Sequence, residues 1–253
     1  MDNQEPKLRT VNKTVPPYPL NKFTKEFAYR VGEQLVYILA TRGATDIEGK
    51  EWEAIFAKSI GADWTPSNVG LDDIRMGNTA WGAKSILNTK PSETTKIRLI
   101  SGRNDLINSY NNYNVRPGVD ADEHGELVLK IYNARVSSIR EKFPNVRTVV
   151  LIRSKSLLEC VIYEMETILY DPELFYWEWS RGGKKNNLYG YKKSDGSQKF
   201  TWQSGGTQFT IHENVPKERL VINVRQPDLV AKDFILDKVG FDASWITVTN
   251  LSS

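Results

Sequence analysis

The chain has 253 residues, of which 40% are hydrophobic and 26% are charged, and its formal net charge is +3. This composition is close to the average for soluble globular proteins, so it excludes the disordered and fibrous classes. The length predicts one large domain with a core of its own. The small excess of positive charge is no argument by itself for a polyanionic partner.

The sequence predicts a cytoplasmic protein without a membrane partner. No stretch comes near the roughly 18 to 20 consecutive apolar residues of a bilayer-spanning helix, and the N-terminal residues lack the apolar core of a signal peptide. The single cysteine, Cys160, lies in the run LLECVIYEM and is expected to be buried as a small hydrophobic residue. One cysteine forms no internal disulfide, which is typical of a reducing compartment.

The first half of the chain predicts an arm, two helices and three strands. Four prolines indicate an extended arm over residues 1–20. Apolar residues then recur at helical spacing from Asn21 to near Gly43, and a second amphipathic pattern follows in EGKEWEAIFAKSIG. The next segments, VGLDDIR, AWGAKSIL and KIRLISG, are predicted strands, the first two joined by the turn MGNT.

The second half predicts a long helix followed by a β-rich region. The segment GELVLKIYNARVSSIREKF has a 3.6-residue apolar period and ends before Pro144, while RTVVLIR is predicted to be a buried strand. The run LLECVIYEMETILY fits either a strand or a helix. Further on, KFTWQ and TQFTIH are predicted short strands, LVINV is a predicted buried strand, and the tail after Pro227 is expected to contain a short helix.

These elements predict a mixed α/β fold in which a central mixed β-sheet is flanked by helices. We expect one domain over residues 1–253, with a β-rich, aromatic and basic region attached to its core. Its expected parts are the arm (1–20), the core (21–152), a DNA-recognition region (153–215) and a C-terminal core strand and helix (216–253).

Several common types of catalytic site lack their sequence signals. With only His124, His212 and one cysteine, the chain has no zinc-ligand spacing. It also has no nucleophile-elbow serine motif, no phosphate-binding loop motif and no dinucleotide-binding glycine motif. Carboxylates and lysines remain as the candidate catalytic groups.

Two adjacent acids and one lysine lie on the first pair of predicted strands. Successive side chains of a strand point to opposite faces, so Asp72 and Asp73 cannot both face the sheet's partner surface. On the next strand, Lys84 lies on the face opposite Trp81 and can therefore face one of the aspartates. Such a pair suits phosphodiester hydrolysis, in which a carboxylate holds a hard divalent cation and a lysine positions water or stabilises negative charge.

The order of these groups resembles the PD-(D/E)XK nucleases, and within them the type II restriction endonucleases. A helix with the pair Trp52-Glu53 is followed by the strand aspartate Asp73 in GLDDI and by Lys84 at the end of AWGAKS. The resemblance implies a Mg²⁺-dependent enzyme that cuts double-stranded DNA at a short specific sequence. It also implies that Asp73 and Glu53 hold the metal, that Lys84 acts on the water, and that the protein is a homodimer.

One position departs from the family pattern. The family usually carries an acid two residues before the lysine, where this chain has Gly82. Either the second metal-binding acid has moved, with Glu53 as the candidate, or the site is inactive. An ordinary salt bridge between Asp73 and Lys84, worth about 0 to 1 kcal/mol at a surface, remains an alternative to a catalytic role.

A basic and aromatic segment indicates contact with nucleic acid. Residues 174–203 hold six basic side chains against two acidic ones, together with eight aromatic residues, so cations for phosphates and planar groups for bases occur in one segment. A structural role is the alternative and is favoured for the tryptophans, which would alternate into a core. The expected DNA-binding residues are Arg103, Asn104, Arg181, Lys184, Lys185, Asn186, Asn187, Gln203 and Gln208.

Two other functions stay open on the sequence. A non-catalytic, sequence-specific DNA-binding protein would explain both Gly82 and the basic segment. A nuclease that acts on structured or damaged DNA in repair or recombination would use the same three catalytic groups on another substrate.

Overall fold

A computed structural model describes residues 15–42, 46–66, 71–180 and 186–248 of the chain. It confirms the predicted mixed α/β fold, with one mixed and one antiparallel sheet flanked by helices. The helices are α1 (Lys25–Thr41), α2 (Gly49–Ile60), α3 (Leu106–Ser109), α4 (Ala121–Arg140) and α5 (Lys232–Lys238). The strands are β1 (Asp63–Trp64), β2 (Ile74–Met76), β3 (Thr79–Leu87), β4 (Lys96–Arg103), β5 (Asn145–Arg153), β6 (Glu159–Glu166), β7 (Phe175–Trp179), β8 (Asn187–Lys192), β9 (Gln198–Gln203), β10 (Gln208–Asn214) and β11 (Leu220–Asn223).

The central sheet has the strand order β1-β2-β3-β5-β6-β11. Its strands β3 and β5 run parallel, and its other neighbouring strands are antiparallel. A parallel pair needs a long crossover, and here the chain between β3 and β5 supplies β4, α3 and α4. Helices α1 and α2 cover one face of this sheet, where Trp52 and Phe56 pack with Trp81.

The second sheet is antiparallel, with the order β4-β10-β9-β8-β7. Its inner face is apolar, and Trp202 and Phe209 pack there with residues of α4. At the β4 edge, Ile97 and Leu99 pack with Val150 on the face of the central sheet that α1 and α2 leave open. The second sheet is therefore stacked against the back of the central one, with α4 beside it.

The sheet topology assigns two predicted segments to their sheets and corrects the prediction for a third. The strand β4 belongs to the second sheet, and β6, whose residues fall in the expected recognition region, lies in the central sheet. The strand β11 is an edge strand with Ile222 as its one buried residue, so the expectation of a buried strand is wrong. Hydrophobicity alone does not indicate whether a strand has one neighbour or two.

Other local predictions are confirmed. Helices α1, α2, α4 and α5 lie where the apolar periodicity placed them, although α4 starts four residues earlier than predicted. Cys160 is fully buried, as expected. Within the described ranges, no helix is long and apolar enough to cross a membrane.

Candidate functional site

The register of β2 and β3 brings Asp73 and Lys84 to the same face of the central sheet. Ile74 pairs with Trp81 on β3, and on the other side of the strand the amide of Thr65, which follows β1, donates to the Asp73 carbonyl at 2.8 Å, so the backbone of Asp73 extends the line of β2. This register places Asp73 opposite Gly82. Lys84 lies two residues further along β3, so the pair is diagonal across neighbouring strands, within reach of a long side chain.

Asp72 points away from this site, as the alternation of a strand requires. Its carboxylate accepts a hydrogen bond from Arg75 Nη2 at 2.7 Å, and both side chains remain partly exposed. Asp73 is only 2% exposed, which distinguishes the two adjacent acids. The expectation that one faces outward while the other faces the sheet's partner surface is confirmed.

Glu53 lies on helix α2, which packs against the face of the central sheet opposite Lys84, and its side chain approaches the β1 edge of that sheet. The neighbouring residues Trp52 and Phe56 are buried in the core, which fixes the rotation of the helix about its axis. The half-buried Glu53 accepts a hydrogen bond from Trp64 Nε1 at 3.3 Å. Because Trp64 lies on β1, opposite Ile74 of β2, this bond holds Glu53 close to the strand that Asp73 precedes.

The ionisation of Glu53 and that of Lys84 are each influenced by the other two groups. Burial raises the pKa of Glu53, the charge of Asp73 raises it further, and the Trp64 hydrogen bond and Lys84 oppose the increase. Burial lowers the pKa of Lys84, while the charges of Asp73 and Glu53 oppose that decrease. The two carboxylates favour the charged form of Lys84 and Lys84 favours that of Glu53, whereas Asp73 disfavours the charged form of Glu53, so the site combines two carboxylates with one cation.

The residues around Gly82 do not replace the missing acid. Gly82 pairs with Thr148 on β5, and the sequence of β3 contains no carboxylate. The nearby Glu164 lies in the core on the other side of the sheet, where it is paired with Arg147 and bonded to Trp81 Nε1. Glu53 therefore remains the second carboxylate of this site.

Two carboxylates suit magnesium better than a metal whose ligands all come from the protein. In the described part of the chain, no group of three or more histidine, cysteine, aspartate or glutamate residues is placed to hold a metal ion. Mg²⁺ keeps several of its waters and is commonly held by one or two carboxylates together with substrate phosphates. Asp73 and Glu53 match that requirement, whereas zinc and calcium sites call for more protein ligands.

Four of the expected DNA-binding residues form one row across the second sheet. Register pairs join Asn187 to Gln203, Gln203 to Gln208, and Gln208 to Arg103, so the row crosses β8, β9, β10 and β4. Directly opposed residues of antiparallel strands share a face. The row therefore presents three amides and a guanidinium together, although the four residues are far apart in the sequence.

The expectation for Asn104 is corrected. This residue is 1% exposed, its amide nitrogen donates to the Val128 carbonyl at 2.8 Å, and its own carbonyl accepts from Trp202 Nε1 at 2.9 Å. It follows β4 and links the end of that strand to α4 and to β9, and its burial prevents contact with DNA. Asn186 is exposed beside the row, whereas Arg181, Lys184 and Lys185 lie outside the described residues.

The tryptophans of the aromatic segment are largely structural, as the sequence favoured. Trp177 and Trp202 are buried against α4, and Trp177 stacks on Phe200 with ring centroids 5.5 Å apart. These rings form the inner face of the second sheet. The polar side chains lie on the outer face, where a ligand would contact them.

A groove with basic side chains lies at the other end of the second sheet, and the sequence reasoning missed it. Its volume is about 740 Å³, and Lys96, Arg98, Lys192 and His212 line it. The alternation in KIRLIS was the available signal, because it places Lys96 and Arg98 on the polar face of a strand. We refer to this groove, defined by these four residues, as the basic groove.

Comparisons of the chain with protein-family models, with curated protein sequences and with solved structures gave no significant match.

Proposed function

We propose that this protein is a Mg²⁺-dependent endonuclease that cuts double-stranded DNA at a short specific sequence, as the type II restriction endonucleases do. The observation that carries the proposal is that Asp73, directly before β2, shares a face of the central sheet with Lys84 of β3, while the charge of each influences the ionisation of Glu53 on α2. Two carboxylates and a lysine in a partly desolvated site suit hydrolysis of a phosphodiester.

Each of the three side chains has a distinct role in this proposal. Asp73 and Glu53 would hold Mg²⁺, which when bound supplies positive charge to the scissile phosphate. Lys84 interacts electrostatically with both carboxylates and would orient the attacking water or stabilise the negative charge that develops on the phosphate. Burial strengthens these interactions, because fewer waters screen the charges.

The row of Asn187, Gln203, Gln208 and Arg103 supports recognition of DNA bases. Asparagine and glutamine can bond bidentately to adenine, and arginine to guanine, on the edges that the major groove exposes. A two-stranded β-ribbon fits into that groove, so side chains on a sheet can reach base edges. We infer that this end of the second sheet takes part in sequence recognition.

The proposal includes a homodimer in the cytoplasm. Support for a dimer comes from α5, a fully described helix that buries none of its side chains. The outer face of α1 and strand β11 also line an apolar groove of about 680 Å³, with Tyr29 and Tyr37 exposed. Exposed apolar surface of this kind is typical of interfaces, and two-fold symmetric sites are read by two-fold symmetric proteins.

The experiment is incubation of plasmid DNA with the purified protein, first with Mg²⁺ and then with EDTA. The proposal predicts discrete fragments that form only with Mg²⁺. Retarded but intact DNA would instead support a non-catalytic DNA-binding protein, the alternative that Gly82 favours. Random nicking, or cutting confined to junctions, would support a repair or recombination nuclease. Sequencing of the fragment ends gives the recognition sequence and the cut position.

A further inference from the structure

The basic groove combines cations from two strands with a histidine from a third at one end of the second sheet. Lys96 and Arg98 are exposed on β4, Lys192 ends β8, and His212 lies on β10. The register pairs His212 with Arg98, so these two side chains share the outer face of the sheet. Alternate residues of a strand also share a face, which brings Lys96 to the same surface.

The charges of this groove are unevenly compensated. Its two carboxylates are Asp195 and Glu213, and Glu213 is already bonded to Lys199. Among the described residues, Lys96 and Arg98 form no ion pair, and both are exposed. Two exposed, uncompensated cations beside a concave surface favour an anionic ligand.

The groove lies near both the candidate catalytic site and the row of amides. Ile86 lines it and lies two residues beyond Lys84 on the same face of β3, a distance of about 7 Å along a strand. Along β10, Gln208 and His212 are four residues apart, so the row of amides lies about 13 Å from the groove on the same sheet. A single duplex could contact all three places.

We propose that the basic groove binds the sugar-phosphate backbone of duplex DNA through Lys96, Arg98 and Lys192, while the row of amides at the opposite end of the sheet contacts the bases. This inference rests on the proposed function and assigns it a second, phosphate-binding surface. Phosphate contacts fix the register of a protein on DNA and base contacts discriminate sequences, so the two ends of the sheet have separable roles.

The test measures binding of a fluorescently labelled duplex of about 30 base pairs in EDTA, where no cleavage occurs. The double variant Lys96→Ala/Arg98→Ala is compared with wild type over a series of salt concentrations. Each lost phosphate contact reduces the magnitude of the negative slope of log K against log [salt] by about 0.9. We therefore expect the slope of the double variant to be shallower by about 1.8. Duplexes of unrelated sequence should be affected equally.

Two further variants complete the design. The control Lys58→Ala removes an exposed cation from α2, on the opposite side of the central sheet, and should leave the slope unchanged. The variant Gln203→Ala/Gln208→Ala should keep the salt slope and lose discrimination between duplexes that differ in sequence. Circular dichroism and thermal unfolding check that each variant is folded.

The outcomes separate this inference from the nuclease proposal. An unchanged salt slope in the folded Lys96→Ala/Arg98→Ala variant, or absence of duplex binding by the wild type, would overturn the phosphate-binding groove. Because the measurement is made without divalent metal, a failure of cleavage does not affect it. Conversely, Mg²⁺-dependent cleavage with an unaltered slope would support the nuclease and refute the groove.

Discussion

Arg147 and Glu164 form a buried ion pair that ties the residues before α1 to the central sheet. Their side chains are 4% and 0% exposed, and Glu164 also accepts hydrogen bonds from Tyr18 Oη and Trp81 Nε1, each at 2.7 Å. The Tyr18 carbonyl accepts from Arg147 Nη2 at 2.9 Å. Removal of either partner would leave a desolvated charge without its counter-charge.

The variant Arg147→Met is expected to lower the free energy of unfolding by about 3 to 5 kcal/mol, because Glu164 would remain buried and unpaired. Urea unfolding followed by fluorescence measures this change. Its control is Lys90→Ala, which breaks an ion pair with Glu93 whose side chains are 68% and 66% exposed and should cost about 0 to 1 kcal/mol. Equal effects of the two substitutions would contradict the role assigned to the buried pair.

His212 is a second residue whose ionisation is altered by the fold. Burial lowers its pKa, Arg98 and Lys199 lower it further, and Glu213 opposes them. The ring also lies 2.9 Å from Thr201 Oγ1, through Nε2. Because the folded state favours the neutral imidazole, His212 becomes protonated at a higher pH in the unfolded chain than in the folded protein.

Stability should therefore decrease as pH falls through the ordinary histidine pKa of about 6.5, where the unfolded chain becomes protonated first. His212→Gln removes this contribution, so its unfolding free energy should fall less than that of the wild type between about pH 7 and pH 5. Chemical denaturation at a series of pH values gives both curves. Parallel curves would show that the environment of His212 has no effect on its protonation.

At the residue scale the sequence predicted roles for side chains with local signals. Alternation distinguished Asp72 from Asp73 and placed Lys84 opposite Trp81, because the direction of a side chain on a strand depends only on its position. The burial of Asn104 had no such signal. It depends on α4 and Trp202, which are remote in the sequence and converge only in the folded chain.

Helix α4 lies against the second sheet at a glycine. A Cβ atom added at Gly125 would meet the ring of Trp177 at 2.2 Å, well below any normal contact. The indole of Trp177 is 4% exposed and stacks on Phe200, so it has little room to move. The absence of a side chain at position 125 therefore sets how closely this helix approaches β7.

Gly125→Ala tests this packing, because two effects have opposite signs. Helix propensity alone would stabilise the variant by about 1 kcal/mol, whereas overpacking in a filled core costs about 1 to 3 kcal/mol. We expect net destabilisation in thermal or urea unfolding. A smaller side chain in place of the Trp177 ring should relieve the clash. We therefore expect Gly125→Ala to cost less stability when it is added to Trp177→Leu than when it is made in the wild type. A more stable single variant would contradict the close contact.

Prediction at the element scale succeeded for local patterns, including the hairpin of β2 and β3, and did not extend to pairing between strands remote in the sequence. The periodicity of α1, α2 and α4 follows from their own residues, so their positions could be predicted. The membership of β4 in the second sheet depends on pairing with β10, more than a hundred residues later. Nothing within KIRLISG distinguishes that partner from β3.

The whole molecule exposes apolar surface that a single chain does not cover. Phe234, Trp245 and Ile246 near the C-terminal end are 57%, 63% and 61% exposed, and α1 presents Tyr29 and Tyr37 to the apolar groove. Short helices are rarely stable without tertiary packing. A second copy of the chain would supply the missing contacts.

We therefore expect the wild type to sediment as a dimer at micromolar concentration. The substitutions Tyr29→Ser/Tyr37→Ser should weaken that dimer while leaving the fold unchanged by circular dichroism, because both residues are exposed in one chain. Sedimentation equilibrium over a range of concentrations measures the effect. A wild type that remains monomeric at all concentrations would contradict the proposed assembly.

The sequence order of Glu53, Asp73 and Lys84 predicts a joint site, and the register of β2 and β3 places Asp73 and Lys84 on one face of the central sheet. The basic groove could not be predicted in the same way. Lys96, Lys192 and His212 come from three strands whose neighbours are set by the topology of the second sheet.

The most direct test of the nuclease site is the rate of plasmid cleavage in Mg²⁺ by the wild type, by Asp73→Asn, by Lys84→Met and by the control Asp72→Asn. The account predicts that the wild type and the Asp72 variant cut at similar rates, because Asp72 is paired with Arg75 outside the site. Asp73→Asn and Lys84→Met should each be slower by roughly a hundredfold or more while duplex binding in EDTA persists. Cleavage near the wild-type rate by both of these variants would contradict it.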